Sequence, residues 1–297
     1  MSTGGLDSLK MMRHMPAALT ARETSDVARA NQSGKQPVVF IHGLWLLATS
    51  WDNWADLFEQ AGYSAVKPGW PDDPETVADA KARPDAFARK GVGQVADHME
   101  TLIRGLTRKP AVIGHSFGGL LAQIVAGHGL AAVSVAVDPA PFRGVLPLPF
   151  SALRAASAAL SNPANVNRAV SLSSAQFRFA FANAVGDDEA KQLYERYAVP
   201  APGKPLFQAA FANINPRTEV RVDTVNPDRG PMLLISGDND NTVPWAIVNA
   251  SYKLQKRNPG TTEVARIPNR GHSLTIDSGW REVAQTALDF VKRFATN

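Results

Sequence analysis

Segments rich in apolar residues alternate along the chain with segments whose apolar residues recur every three or four positions. The first kind predicts buried strands at residues 37–41, 64–67, 110–114, 132–137, 232–235 and 263–267. The second kind predicts helices at residues 51–61, 91–106, 117–126 and 280–294. Strands that alternate with helices are typical of a parallel sheet covered on both faces. The pattern therefore predicts an α/β fold with a doubly wound, mostly parallel sheet.

The middle of the chain breaks this alternation. Residues 142–226 contain no pattern of a parallel strand and are punctuated by prolines. Helical patches are predicted there at residues 150–160, 165–172, 175–183, 189–197 and 207–212. We expect residues 37–141 and 227–297 to form the core and residues 142–226 to form a helical cap or lid. The polar residues 1–36 are expected to be a largely mobile tail with at most one short helix.

Composition excludes several kinds of site. The 297 residues have a formal net charge of +4, scattered basic residues and no cysteine. These features argue against a nucleic-acid partner and exclude disulfides, thiol nucleophiles and thiolate metal sites. No apolar stretch has the length of a signal-peptide core or of a membrane span. We expect a cytoplasmic protein with no membrane partner, and the oligomeric state stays open.

The first candidate chemistry follows the third predicted strand. Residues 114–119 read Gly-His-Ser-Phe-Gly-Gly, and an alanine-rich helical pattern comes after them. A G-x-S-x-G pattern between a strand and a helix is typical of a nucleophile elbow, in which the serine occupies a sharp, strained turn. Ser116 is therefore the candidate nucleophile.

A serine hydroxyl is a weak nucleophile, and it needs a general base whose tautomer is held by an acid. His272 lies in the loop after the strand that ends at residue 267. Asp238 and Asp240 both lie in the loop after the strand at residues 232–235. The carboxyl ends of parallel strands are where open α/β sheets build their sites. These residues supply one base and two alternative acids, in the order serine, aspartate, histidine.

Main-chain donors for an oxyanion follow the first predicted strand. Residues 42–45 read His-Gly-Leu-Trp. The tetrahedral intermediate of acyl transfer needs hydrogen-bond donors for its oxyanion. The N–H groups of Leu44 and of Phe117, the residue after the candidate nucleophile, are the candidates. The candidate substrate-pocket residues are Trp45, Trp70 and Phe142.

The remaining polar residues near these motifs are interpreted as structural. His42 is expected to shape its own loop, and His115 to pack against the sheet. No histidine pair has the spacing of a metal site with a carboxylate, so neither a metal nor another cofactor is predicted. The side chains interpreted as ordinary helical or solvated groups are His98, His128, Asp72, Asp73 and Glu75.

Taken together, these motifs resemble the α/β-hydrolase fold superfamily over residues 37–295. The resemblance extends to the small bacterial carboxylesterases and their cofactor-free haloperoxidase relatives. It implies Ser116 as nucleophile, His272 as base and Asp240 as acid, and it places the cap after the sixth strand. Two features depart from the family. No hairpin is predicted before residue 37, and residues 67–72 replace the usual Asp-x-x-Gly-x-Gly-x-Ser loop.

The resemblance implies a serine hydrolase that cleaves hydrophobic carboxylic esters through an acyl-enzyme. The same triad also serves perhydrolysis or haloperoxidase chemistry, and the cleavage of lactones, amides or carbon–carbon bonds. A non-catalytic ligand receptor on this fold is the alternative of another class. The apolar content of the cap favours medium-sized acyl or aromatic esters, while chain length and stereopreference stay open.

Overall fold

A computed structural model describes residues 18–295 as eight strands and eleven α-helices. The strands are β1 (Pro37–Ile41), β2 (Ser64–Val66), β3 (Ala111–His115), β4 (Val133–Val137), β5 (Ala169–Val170), β6 (Ala201–Pro202), β7 (Met232–Gly237) and β8 (Thr262–Ile267). Six of them form one sheet in the order β2-β1-β3-β4-β7-β8, and every neighbouring pair is parallel. The predicted α/β fold with a parallel sheet is confirmed.

Helices cover both faces of this sheet. They are α1 (Ala21–Ser33), α2 (Asp52–Gln60), α3 (Val77–Ala82), α4 (Val92–Arg104), α5 (Phe117–Gly127), α6 (Phe150–Leu160), α7 (Ser174–Ala180), α8 (Asp187–Tyr197), α9 (Lys204–Ala210), α10 (Trp245–Gln255) and α11 (Trp280–Phe294). Short 3₁₀ turns occupy Ala48–Trp51, Pro84–Phe87, Pro163–Asn167 and Pro227–Arg229. Among residues 18–295, no helix combines the length and the apolar character needed to cross a membrane.

The continuous apolar strands are explained by burial on both faces. In β1, Val38 and Phe40 pack in a core cluster with residues of α2 and α11. Val39 and Ile41 point the other way and pack with residues of α4 and α5. Because successive strand residues face opposite sides, a strand with helices on both sides must be apolar throughout.

The helices of the predicted cap lie between β4 and β7. Helices α6 to α9 occupy this stretch, together with a ribbon in which β5 pairs antiparallel with β6. The helical patch predicted at residues 165–172 is therefore wrong, since it contains a 3₁₀ turn followed by β5. The insertion follows the fourth strand of this sheet. The prediction placed it after the sixth strand, a count that includes an antiparallel pair before the first parallel strand. Residues 18–36 contain no such pair, so the count here is four.

The segment expected to be a mobile tail contains a helix packed on the core. Thr20 and Glu23 form a capping box at the start of α1, and Gly34 ends the helix in a left-handed conformation. The side chain of Glu23 is buried, and its Oε1 lies 3.0 Å from Nε2 of His98 on α4. Residues 21–33 of the predicted tail thus form a helix that a buried hydrogen bond joins to the core. Residues 1–17 lie outside the described residues.

Candidate active site

The turn between β3 and α5 places Ser116 in a strained backbone conformation. Its φ is +57° and its ψ is −121°, a region that residues with a Cβ rarely occupy. The turn also needs glycines, since a Cβ on Gly114 would lie 1.9 Å from the carbonyl oxygen of Gly118. A Cβ on Gly118 would lie 2.0 Å from the carbonyl oxygen of Ile41. The predicted elbow is therefore present, with its serine at the N-terminus of α5.

A buried hydrogen bond joins His272 to Asp240. Nδ1 of His272 lies 2.6 Å from Oδ2 of Asp240, and both side chains are fully buried. The other carboxylate oxygen, Oδ1, accepts the main-chain N–H groups of Thr242 and Val243 at 2.6 and 2.9 Å. Three N–H donors thus face this carboxylate and fix the direction in which it faces the ring.

The other acid left open by the sequence takes a different role. Asp238 accepts a hydrogen bond of 2.8 Å from Nε of Arg266, on the partly exposed side of the same loop. It lies two residues from Asp240, yet it makes no hydrogen bond to the imidazole. The structure therefore brings Asp240, and not Asp238, together with His272.

The second ring nitrogen of His272 is buried and has no hydrogen-bond partner within the described residues. With the Nδ1 proton donated to Asp240, Nε2 carries the lone pair and can accept a proton. The His272 ring lies 4.6 Å from the ring of His115, the neighbour of Ser116. No hydrogen bond joins Nε2 to Ser116 in this structure; such bonds often tighten only once substrate is bound.

The loop after β1 contacts the elbow directly. A Cβ placed on Gly43 would lie 2.8 Å from Cβ of Ser116 and 3.4 Å from its Oγ. Nδ1 of His42 donates a hydrogen bond of 2.9 Å to the carbonyl oxygen of Gly43, as expected for a loop-shaping histidine. Leu44 follows this turn, and Phe117 is the first residue of α5, where helix geometry leaves the N–H without an intrahelical partner.

The candidate residues therefore meet at one edge of the sheet, where β1, β3, β7 and β8 end. The sequence model of the alpha/beta hydrolase family matches residues 38–286, which is most of the chain. The chain belongs to the alpha/beta hydrolase family. It is accordingly an enzyme of the hydrolase class. No curated protein matches the sequence of this hydrolase at a significant level.

Solved structures of other hydrolases resemble the fold of this one. The monoacylglycerol lipase of Paleococcus ferrophilus is 18% identical, with a TM-score of 0.59 over 87% of this chain and 95% of that one. A thermophilic esterase from Thermogutta terrifontis is 16% identical, with a TM-score of 0.61 over 88% and 91%. The pyrethroid hydrolase PytH is 16% identical, with a TM-score of 0.60 over 88% and 98%. At these identities the likeness shows the shared fold.

An apolar cavity of about 180 Å³ opens on Ser116 of the hydrolase. Trp45 and Phe142 are among its lining residues, and residues of the insertion between β4 and β7 contribute further walls. The polar side chains among its lining residues are Ser116, Asn213 and Thr242. The apolar lining includes Phe117, Val145, Leu146, Leu148, Ala152, Ala155, Ala156, Leu206, Val243 and Ile247. Such a lining is suited to a hydrophobic ligand group.

Trp70 does not line this cavity, which corrects its prediction as a pocket residue. Its ring is buried and stacks on His42 at 5.9 Å between centroids. Its Nε1 donates a hydrogen bond of 3.2 Å to the carbonyl oxygen of His42. Trp70 therefore supports the loop after β1 from behind, and it acts on the shape of that loop.

Asp73 was wrongly predicted to be solvated. Its Oδ2 lies 3.2 Å from Nε2 of His42, and its Oδ1 lies 3.1 Å from Nζ of Lys90. All three side chains are at most 5% exposed. The main-chain N–H of Trp70 donates to the same carboxylate at 3.1 Å. A buried charged network thus lies beneath the loop, and nothing in the Pro-rich sequence around Asp73 marks it out.

Asp138, at the end of β4, is a buried group near the site that the sequence analysis missed. One of its carboxyl oxygens, one of Asp240 and a ring nitrogen of His272 all lie within 4.8 Å of one another. Burial, together with the negative charge of Asp240, raises the pKa of Asp138 well above its ordinary range. Burial and the nearby His272 hold the pKa of His115 well below that of an ordinary histidine. Both shifts favour the neutral forms of Asp138 and His115, the two buried groups beside His272.

Proposed function

We propose that this hydrolase cleaves hydrophobic carboxylic esters through an acyl-enzyme intermediate formed on Ser116. The observation that carries the proposal is the 2.6 Å hydrogen bond from the His272 imidazole to the buried Asp240 carboxylate. That bond leaves the second ring nitrogen unpaired, and the histidine ring packs against the residue next to the elbow serine. A base held in one tautomer beside a strained serine is the arrangement that acyl transfer requires.

In the proposed first half-reaction, Nε2 of His272 takes the proton of Ser116 as Oγ attacks the ester carbonyl. Asp240 stabilises the imidazolium that forms, and the N–H groups of Leu44 and Phe117 bind the oxyanion. The imidazolium then protonates the departing alkoxide, which leaves Ser116 acylated. In the second half-reaction His272 removes a proton from water, which attacks the acyl group, and Ser116 is released with its proton.

The substrate class rests on the cavity. The walls around Ser116 are almost entirely apolar, so a charged acyl or alcohol group would lose its hydration there without finding a partner. Leu146 and Leu148 line the cavity while being 75% and 66% exposed, so they form an apolar entrance. We therefore favour uncharged esters with a medium-sized acyl or aromatic part. The cytoplasmic location and the absence of nucleic-acid and membrane partners stay predictions.

The test compares Ser116→Ala with Ser171→Ala, which changes an exposed serine of the cap. On p-nitrophenyl acyl esters, Ser116→Ala is expected to lower kcat by about 10⁴-fold or more, while donors in the oxyanion hole leave a small residual rate. Ser171→Ala is expected to match the wild type. A fluorophosphonate should label the wild type and Ser171→Ala but not Ser116→Ala.

Full activity of Ser116→Ala would contradict the proposal. Failure of the wild type to react with the fluorophosphonate and the esters would favour the ligand-receptor alternative. A rate that depends on hydrogen peroxide would redirect the assignment to perhydrolysis. Turnover of lactones, amides or diketones in preference to esters would change the substrate class and keep the triad.

A further inference from the structure

We propose that Asp138 is a positioning residue that keeps its proton and donates a hydrogen bond to the carboxylate of Asp240. This inference rests on the proposed function of Asp240 as the acid of the triad. The proposed reaction uses three side chains and two main-chain N–H groups, and Asp138 has no role in it. Yet Asp138 is fully buried, and it lies on a different strand end from both Asp240 and His272.

The hydrogen bonds of Asp138 account for only one of its oxygens. Oδ1 accepts the main-chain N–H of Gly237 at 2.9 Å. Oδ2 is buried and has no hydrogen-bond partner within the described residues. One carboxyl oxygen of Asp138 lies within 4.8 Å of one of Asp240. Two carboxylate oxygens cannot bond to each other unless one of them carries a proton, so the unpaired Oδ2 next to an acceptor is the place for that proton.

The donors around the pair decide which residue holds the proton. Asp240 already accepts hydrogen bonds from the N–H groups of Thr242 and Val243 and from the imidazole of His272. Asp240 is therefore already the acceptor of three hydrogen bonds, which makes it the acceptor of the pair as well. Asp138 has a single main-chain donor, full burial and the like charges of Asp240 and Asp238 nearby. Its neutral form is therefore the stable one.

A neutral Asp138 would be the fourth donor to the Asp240 carboxylate. The added bond would fix the carboxylate plane relative to Nδ1 of His272. It would also spread part of the negative charge of Asp240 onto a second side chain. At alkaline pH the loss of this proton would place a second negative charge beside the triad and would break the bond. The groups that face Asp138 and enter this balance are Asp240, Asp238 and His272.

The test compares Asp138→Asn with Asp138→Ala in the full-length protein. An asparagine amide reproduces both contacts of a protonated aspartate, since its oxygen can accept from Gly237 and its nitrogen can donate to Asp240. Asparagine also tolerates the positive φ of this position, which is +38°. Alanine removes both contacts. Each variant is checked by circular dichroism and thermal unfolding before kcat and KM are measured on a p-nitrophenyl ester.

At neutral pH, Asp138→Asn is expected to keep kcat within about threefold of the wild type, whereas Asp138→Ala loses about 10- to 100-fold, as for a removed buried hydrogen bond. The pH dependence of kcat distinguishes Asp138→Asn from the wild type more clearly. The wild type and Asp138→Asn should coincide on the acid side, where the carboxyl keeps its proton. On the alkaline side the asparagine variant should retain more activity, because it has no proton to lose. A merely structural role would not separate the two profiles.

Three results would overturn the inference. A loss in Asp138→Asn as large as that in Asp240→Asn would show that Asp138 must be ionised. Coincident alkaline limbs would show that no proton on Asp138 matters. Loss of activity on treatment with a chelator, restored by a divalent cation, would place an ion and not a proton between the carboxylates. The Ser116→Ala result separates these failures from that of the proposed function, because it does not depend on Asp138.

Discussion

At the scale of single residues, the site depends on small differences in position. Asp238 and Asp240 share a loop and a charge, but one faces Arg266 at the surface and the other faces His272 in the interior. Asp238 therefore makes no hydrogen bond to the imidazole, although it lies only two residues from Asp240. A carboxylate fixes the tautomer of a histidine only when it is hydrogen-bonded to the ring.

This difference predicts opposite effects for two matched substitutions. Asp240→Asn removes the charge that stabilises the imidazolium and allows the wrong tautomer, so kcat is expected to fall by about 10⁴-fold. Asp238→Asn weakens one partly exposed ion pair with Arg266, so kcat is expected to stay within about twofold of the wild type. Steady-state kinetics on a p-nitrophenyl ester measure both effects. An equal loss in the two variants would argue against Asp240 as the acid of the triad.

At the scale of elements, α1 is attached to the core by polar contacts as well as apolar ones. Arg22 and Arg29 donate to the carbonyl oxygens of Lys67 and Ala65, which follow or lie in β2. Glu23 is buried against His98 of α4. Burial acts to raise the pKa of Glu23, but the hydrogen bonds from His98 and Thr20 outweigh it and leave the pKa below its ordinary value. The ionised carboxylate therefore stabilises the docked helix.

The lowered pKa predicts how a substitution at this contact depends on pH. Glu23→Gln is expected to lower the free energy of unfolding by about 1–3 kcal/mol at neutral pH, as for a buried hydrogen-bonded charge. Because the folded-state pKa of Glu23 lies below the unfolded one, its contribution is complete above about pH 4.5 and is lost as pH falls through the folded-state value. The difference between variant and wild type should therefore shrink in acid.

Urea unfolding at neutral and acid pH measures this difference. Glu59→Gln is the matched control. Glu59 of α2 forms a partly exposed ion pair with Arg29, which lies on α1 like Glu23. It is expected to cost about 0–1 kcal/mol. A Glu23→Gln variant as stable as this control would show that α1 docks without its buried charge.

At the scale of the whole molecule, the cavity belongs to neither the core nor the cap alone. Its floor includes Ser116 and Phe117 at the elbow, and one wall is the face of α6 that carries Ala152 and Ala156. The small side chains on this face leave open space, which an acyl chain would fill under the proposed function. Under the proposed function, the reacting groups lie at the sheet edge, while the insertion limits the size of the substrate.

Filling that space predicts a change in chain-length preference. Ala156→Phe adds a ring to the cavity wall, so kcat/KM for a p-nitrophenyl octanoate is expected to fall by about 10-fold or more, while the acetate stays within about twofold. Ser157→Phe adds the same ring to the exposed face of α6, since Ser157 is exposed and does not line the cavity. It should leave both substrates unchanged. An unchanged octanoate to acetate ratio in Ala156→Phe would place the acyl chain elsewhere.

Short-range rules account for what could be predicted of the fold and the site. The strands of the large sheet were predictable, and for those in its interior the reason is that burial on both faces makes a strand apolar throughout. The edge strand β8 is the exception: it was predicted to be buried, but most of its residues are half-buried and Arg266 is exposed. The elbow was predictable because a Cβ on Gly114 or Gly118 would collide with neighbouring backbone. The short strands β5 and β6 were not predictable, because each has two residues and is defined by its partner.

The sequence by itself determined the parallel sheet and the elbow, since these follow from the periodicity of burial and from local sterics, and it placed Ser116, Asp240 and His272 in that order along the chain. Only the tertiary structure decided which carboxylate faces His272, that Trp70 supports a loop instead of lining the cavity, and that Asp73 and Asp138 are buried. Asp138 and its donor Gly237 lie 99 positions apart in the chain. The environment of a charge is made by the elements that pack around it, and no local pattern of residues records those elements.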